Sequence, residues 1–142
     1  MNLRRLLPGW LDRLFPRKPL GRRGEDAAAR FLQRLGYKVL ARGSRMRCGE
    51  IDLVMLDRPT IVFVEVKTRT SEEAGLPSEA VDQRKQRKLT RAAVTFLKRH
   101  RLLEHPARFD VVAITWPDDG GRPVIQHIKD AFEAQGQWEY FS

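Results

Sequence analysis

Two short segments of this chain place acidic side chains where facing strands would make a site of them. Gly49-Glu50-Ile51-Asp52-Leu53 is followed in sequence by Phe63-Val64-Glu65-Val66-Lys67. Both have the β-branched and apolar content of strands, and Asp57-Arg58-Pro59 between them has turn chemistry. A hairpin with Arg58-Pro59 as its two central residues opposes Leu56 to Ile61, Val54 to Phe63, Asp52 to Glu65 and Glu50 to Lys67. Side chains alternate along a strand, so these residues share one face. Ile51, Leu53, Met55, Val62, Val64 and Val66 then form a second face, wholly apolar, which must be buried.

Directly opposed residues have Cβ atoms roughly 4.5–5.5 Å apart. Two carboxylates at that spacing repel unless something cationic joins them. A divalent metal satisfies both, and Mg²⁺ or Mn²⁺ suits hard oxygen ligands completed by water and substrate phosphate. Asp52 and Glu65 are therefore the expected metal ligands. Lys67 projects from the face of Glu65, where an ammonium can orient an attacking water or stabilise charge at phosphorus. The competing reading is a partly exposed ion-pair cluster with no chemistry. Buried-type neighbours on both strands weigh against it, and Lys67 could neutralise only one acid of the pair. The metal reading fails if the two carboxylates point apart or each holds its own cation.

Two helical residues have matching roles. Glu25 lies three residues before Ala28 and seven before Leu32, on the inward stripe of a first helix. It is either a further ligand or base, or a first-turn acid complementing the helix dipole. Lys85 precedes Leu89 by four and shares its inward stripe in a second, long helix. It either contacts substrate phosphate or snorkels to solvent. His100, His105 and His127 show no ligand spacing and are expected in structural or exposed roles. Cys48 has no partner and no assigned role. No Gly-x-Ser-x-Gly elbow and no Gly-rich phosphate loop occurs. Trp10, Trp116 and Trp138 are scattered, with no stacking platform legible.

The elements that must hold these residues follow from periodicity. Ala27 to Leu35 reads as a helix with Ala28, Phe31, Leu32 and Leu35 on one stripe, stopped by Gly36. Tyr37 to Ala41, Glu50 to Leu56 and Thr60 to Lys67 read as strands, and Thr70 to Pro77 as a loop. Ser78 to about Arg101 reads as one helix, with Leu89, Ala92, Ala93, Phe96 and Leu97 lining one side. Arg108 to Thr115 is a further strand and Val124 to Ile128 another. The order is α-β-β-β-α-β-β, an α/β domain around a mixed sheet.

Composition bounds the partners. The 142 residues are 42% hydrophobic and 32% charged, with a net charge of +9. That is a soluble globular balance, sufficient for one self-supporting core. No apolar run approaches the roughly 18 residues of a membrane span. One cysteine excludes an internal disulfide framework and suits a reducing, cytoplasmic compartment. The positive charge is clustered. Residues 1–24 carry seven Arg or Lys and one Asp, and residues 83–103 carry eight basic residues and no acid. Arg42, Arg45 and Arg47 form a third group. Such clusters attract polyanions, nucleic acid above all. Arg84, Arg87, Lys88 and Arg91 point outward on the long helix as backbone contacts. Residues 1–20 have helical apolar spacing broken by Pro8-Gly9, Pro16 and Pro19. A tail without fixed structure is the default there, with a polyanion arm or a membrane-surface helix as alternatives. The expected organisation is this extension, a domain over 21–134, and a tail over 135–142.

Taken in order, Gly21-x-x-Gly24-Glu25-x-x-Ala28, Gly49-Glu50-Ile51-Asp52-Leu53, Phe63-Val64-Glu65-Val66-Lys67-x-Arg69, Lys85, Arg108-Phe109-Asp110-Val111-Val112 and Lys129-Asp130-Ala131-Phe132 resemble the YraN-like family of small bacterial proteins. The resemblance covers about residues 21–134. That family is similar to the PD-(D/E)xK nuclease superfamily, with a restriction-endonuclease-like fold close to archaeal Holliday-junction resolvases. It implies a central mixed sheet flanked by helices. It implies Glu25 as the helix-borne acid, Asp52 as the metal-binding acid, and Glu65 and Lys67 as the paired acid and lysine, with Ile51 where the superfamily name has proline. Lys85 stands where many members carry a helical Gln or Lys, and Arg69 joins the candidate phosphate contacts. The activity implied is metal-dependent endonucleolytic cleavage, of DNA before RNA and of branched DNA among its forms, in a chain that could pair as a homodimer. The alternative is a non-catalytic nucleic-acid-binding or adaptor protein on the same fold.

Overall fold

A computed structural model describes residues 20–70 and 81–136. All but the last residue of the expected extension over 1–20, most of the tail over 135–142 and nearly all of the Thr70–Pro77 loop lie outside the described residues; Leu20 instead opens the first helix. The chain runs through α1 (Leu20–Arg34), β1 (Lys38–Met46), β2 (Gly49–Asp57), β3 (Thr60–Thr70), α2 (Gln83–Arg99), β4 (Ala107–Trp116) and β5 (Val124–Phe132). The five strands form one sheet in the order β1-β2-β3-β4-β5. β3 and β4 are parallel, joined by the crossover that contains α2, and the other neighbours are antiparallel. This is the expected α/β order and mixed sheet, and it fits the restriction-endonuclease-like architecture.

Each helix covers one face. On one side Leu89, Ala92, Ala93, Phe96 and Leu97 of α2 pack on Val54, Ile61, Phe63, Phe109 and Val111. On the other, Ala27, Ala28 and Leu32 of α1 pack on Leu53, Met55, Val62, Val64, Val112 and Ile114. The strands between are buried on both faces, which is why β3 and β4 read as nearly continuous apolar runs.

Several boundaries differ from expectation for identifiable reasons. α1 begins earlier than Ala27, because Gly21 and Gly24 obscure its first turns. Gly24 is there for close approach: a Cβ at this position would meet Thr68 Oγ1 at 1.9 Å. The helix ends as expected at Gly36, φ 96. Tyr37 N–H donates to the Leu32 carbonyl at 3.1 Å and Gly36 N–H to that of Gln33 at 2.9 Å, a Schellman closure. Leu35 lies beyond the last helical residue and is 55% exposed, not on the buried stripe. β1 runs on to Met46, through arginines and a glycine that conceal a strand at the sheet edge. α2 starts at Gln83, later than expected, because Asp82 caps it by accepting from Lys85 N–H at 2.8 Å.

Candidate metal and nucleic-acid site

The β2–β3 hairpin has the predicted register. Asp57 faces Thr60 across Arg58-Pro59, and Leu56–Ile61, Met55–Val62, Val54–Phe63 and Leu53–Val64 follow. The ladder then stops. Where the next pair would close, the Asp52 carboxylate accepts the Val66 N–H at 2.9 Å. A side chain has replaced a backbone acceptor, and the strands fork. β3 stays fully paired to β4 on its other edge, from Ile61–Ala107 to Thr70–Trp116, so β2 is the strand that departs.

The fork reorganises what lies beyond it. Gly43, at φ 57, stands on β1 between Arg42, which pairs with Leu53, and Ser44, which pairs with Ile51. Only a residue tolerant of the left-handed region fits there without strain. The alternation of β2 breaks at the same level. Ile51 packs with Val54 and Phe63 on the α2 side, not with Leu53 and Met55 as expected. Glu50 accordingly does not face Lys67. It pairs with Arg45 of β1, at 3.7 Å.

Asp52 and Glu65 do come together. Burial raises the Asp52 carboxyl to about 7, the Glu65 carboxylate adds to the rise, and the Val66 N–H offsets part of it. The two side chains are within hydrogen-bonding reach of each other, which one shared proton permits. Glu65 is only 7% exposed. Its Oε1 is ion-paired with the Lys85 ammonium, from α2. Asp52 makes no ion pair among the described residues. The pair is thus neither splayed apart nor doubly neutralised: one acid has its cation and the other does not.

Glu25 is a neighbour rather than a member of the pair. Its pKa is raised by burial first and by Glu50 second, with Arg42 and Arg22 pulling it back. Its charge in turn raises Asp52. The tight contact of Gly24 on Thr68 sets α1 at this end of β3 and brings Glu25 there. Among the described residues no three His, Cys, Asp or Glu side chains converge closely enough to hold a metal ion. The side chains at the fork that could contact a cation are Asp52 and Glu65. Lys67 is exposed, opposite Ala113 in the β3–β4 register, and makes no ion pair among the described residues.

The expected phosphate contacts divide. Arg84, Arg87, Lys88 and Arg91 are exposed on α2, as the outward stripe predicted, and Arg45 and Arg47 are exposed on β1 and just past it. Lys85 is committed to Glu65, a partnership the helical spacing hinted at but did not name. Arg42 is half-exposed and ion-paired with Asp26 of α1. Arg69 is a correction: it is 9% exposed, buried at the end of β3 rather than offered to solvent.

One cluster went unassigned in the sequence. Asp110 is fully buried on the α1 side of the sheet. It accepts from Arg108 Nε at 3.0 Å and from the Asp130 N–H at 2.9 Å, and lies 2.8 Å from His127 Nε2. Those partners hold its pKa below the usual range against the opposing effect of burial. Arg108 continues to Tyr37 Oη at 2.9 Å and to Asp57 at 3.0 Å. Asp130, at φ 53, turns its N–H inward for this purpose. The Arg108-Phe109-Asp110 and Lys129-Asp130 motifs thus tie β5 and the β2–β3 turn to β4, and His127 has the structural role expected of it. Cys48 packs against the α2-side core, with Thr95 Oγ1 4.0 Å from its sulfur. No helix among the described residues is long and apolar enough to cross a membrane.

Comparison with known proteins adds a family. The model of uncharacterised protein family UPF0102 matches residues 24–114. A UPF0102 protein of Rhodopirellula baltica is 52% identical over 120 residues, 82% of this chain and 72% of its own length. One from Geobacter metallireducens is 52% identical over 116 residues, 82% of this chain and 93% of its own. One from Geotalea uraniireducens is 49% identical over 116 residues, 82% and 91% respectively.

Proposed function

We propose that this chain, which belongs to the uncharacterised protein family UPF0102, is a divalent-cation-dependent endonuclease hydrolysing phosphodiester bonds in nucleic acid, with DNA, branched forms included, as its substrate. The observation that carries the reading is the strand fork, where Asp52 and Glu65 meet and, among the described residues, only Glu65 has a cationic partner. A buried carboxyl raised to about 7 is one whose negative charge lacks a partner. Two adjacent hard carboxylate donors suit Mg²⁺ or Mn²⁺, which keeps water and substrate oxygens in its remaining positions. Asp52 and Glu65 would hold the ion. Bound there, it would supply an activated water at neutral pH and offset charge building on the phosphate.

The chain's own groups do the rest. Lys85 fixes the Glu65 carboxylate and limits the site to one uncompensated charge. Lys67, exposed on the same strand, has its ammonium available to orient the attacking water or bind a phosphate oxygen. Glu25, its pKa raised by burial and by Glu50, would assist proton transfer from α1. Arg84, Arg87, Lys88 and Arg91 hold the backbone of the nucleic acid. Contacts of that kind give affinity without sequence readout.

Thermal melting in chelator and then with Mg²⁺ or Mn²⁺ tests the site. An ion that binds only the folded state stabilises it by about 2.7 kcal/mol at a hundredfold excess over its dissociation constant. The melting point of the wild type should rise, and that of Asp52→Ala should not. In parallel, the wild type should cut branched, nicked or duplex DNA with either metal, and Asp52→Ala and Glu65→Ala should bind but not cut. A protein that binds with steep salt dependence, shows no metal-linked stabilisation and cuts none of these substrates, nor RNA, is instead a nucleic-acid-binding protein without chemistry.

A further inference from the structure

On the α1 side of the sheet, away from α2, lies a cavity of about 510 Å³ lined by Arg23, Asp26, Arg30, Gln33, Arg42 and Trp116, together with Ala29 and Val39. Its volume falls in the range of small-ligand sites, roughly 300–1,000 Å³. Three arginines face one acid, so it favours anions. The arginines are differently engaged. Arg42 is ion-paired with Asp26. Arg23 lies over the Trp116 ring, its Cζ 4.4 Å from the ring centroid. Arg30 is exposed and makes no ion pair among the described residues. An arginine resting on an indole, beside two further guanidiniums and an amide, combines a stacking surface for a base with forked donors for a phosphate. The cavity also adjoins the fork, since Arg42 and Asp26 at its rim are close enough to Glu25 to act on that carboxyl.

We propose that this cavity binds a nucleotide of a single-stranded nucleic-acid segment leading away from the strand fork, with Arg30 and Arg42 on its phosphates and the Arg23–Trp116 stack against its base. The substrate class is thus a strand with an unpaired arm rather than uninterrupted duplex. The inference rests on the endonuclease reading for the location of the cut, but not for the binding itself. It also separates two positive surfaces by role. The exposed face of α2 holds a backbone by charge alone. The α1 cavity, open to solvent and lined on one side by the Arg23–Trp116 stack, takes a base that a duplex would keep in its stack.

Trp116 is a built-in probe. In the full chain carrying Trp10→Phe and Trp138→Phe it is the only tryptophan. Titration in chelator with a short single-stranded oligodeoxythymidylate should change its emission and saturate. Arg30→Glu should weaken that binding about tenfold. Arg34→Glu, the same charge change one turn further along α1 and outside the cavity, should weaken it far less. Emission that does not respond, or equal losses in the two variants, overturns the proposal. So does thymidine monophosphate saturating the signal with the affinity of the oligonucleotide, which would make this a pocket for a free nucleotide. Trp116→Ala should also weaken binding, but Arg30→Glu, at an exposed position, is the variant that spares the fold. Cleavage assays separate this proposal from the reading it rests on. If a protein never cuts with Mg²⁺ or Mn²⁺ yet binds as described, the cavity stands and the nuclease falls. If it cuts with an unchanged KM after Arg30→Glu, the nuclease stands and the cavity falls.

Discussion

Asp52→Asn removes one charge from the fork and leaves an amide oxygen that can still accept the Val66 N–H. Its effect on stability can be worked from the position of the carboxyl. The Asp52 pKa lies near 7, above the ordinary 3.8, chiefly because of burial and then because of Glu65. A carboxyl raised on folding contributes stability that is fully present below about 3.8. That contribution is lost as pH climbs through the folded value near 7. Between those limits the unfolded chain has released the proton and the folded chain retains it. Each pH step there costs about 1.4 kcal/mol. The accumulated loss approaches about 4 kcal/mol once the site is fully ionised, or about 10 °C in Tm for a chain of this size. The assay is thermal or urea unfolding from pH 4 to 9 in chelator, wild type against Asp52→Asn. The wild type should lose stability across pH 4–7 relative to the variant, and above pH 8 the variant should be the more stable protein. Parallel profiles would refute the reasoning, since they would mean that the carboxyl is solvated or already compensated. A variant less stable at every pH, including pH 4 where the wild-type carboxyl is neutral, would show that the fork needs the carboxyl's own hydrogen bonds, which the amide does not replace.

Other perturbations probe the supports of the site. Lys85→Gln leaves the buried Glu65 carboxylate without its cation; at neutral pH this should cost about 1–2 kcal/mol, discounted for the solvent-exposed lysine head, read by urea unfolding. Gly24→Ala puts a methyl against the Thr68 hydroxyl, so about 1–3 kcal/mol of overpacking is expected, and Thr68→Ser or Thr68→Ala should recover part of it in a double-mutant cycle. Asp110→Asn should cost about 3 kcal/mol or more at neutral pH by weakening a buried, fully partnered acceptor. Its pKa is depressed on folding, so the stability it supplies is present above about 3.8 and is lost as pH falls through the lower folded value. The acid limb of the wild-type melting profile should therefore flatten in Asp110→Asn.

Much of the frame was legible in the chain. The β2–β3 register followed from the Arg58-Pro59 turn and from apolar alternation, because a slip of one residue would turn a buried face to solvent. The stripe of α2 and the glycine stop of α1 followed from helical period and from the conformational freedom of Gly36. The nearness of Asp52 to Glu65 was visible from spacing, although the ladder stops at Leu53–Val64, before the two would pair. What spacing could not reveal is where a ladder stops. Whether Asp52 closes a backbone pair or takes a backbone donor into its own side chain depends on the twist and divergence of two strands. Those are set by the helices packed on either side and by Gly43 on a third strand. That choice moved Ile51 across the sheet and sent Glu50 to Arg45. It also decided which acid keeps an unpaired charge. Lys85 reaches Glu65 only because the crossover lays α2 over β3. Arg23 reaches Trp116 only because the first helix begins at the corner where the fourth strand ends. Local pattern governs elements and faces, since it acts between neighbours in sequence; charge compensation is settled by which distant side chains the packed layers bring within a few ångströms.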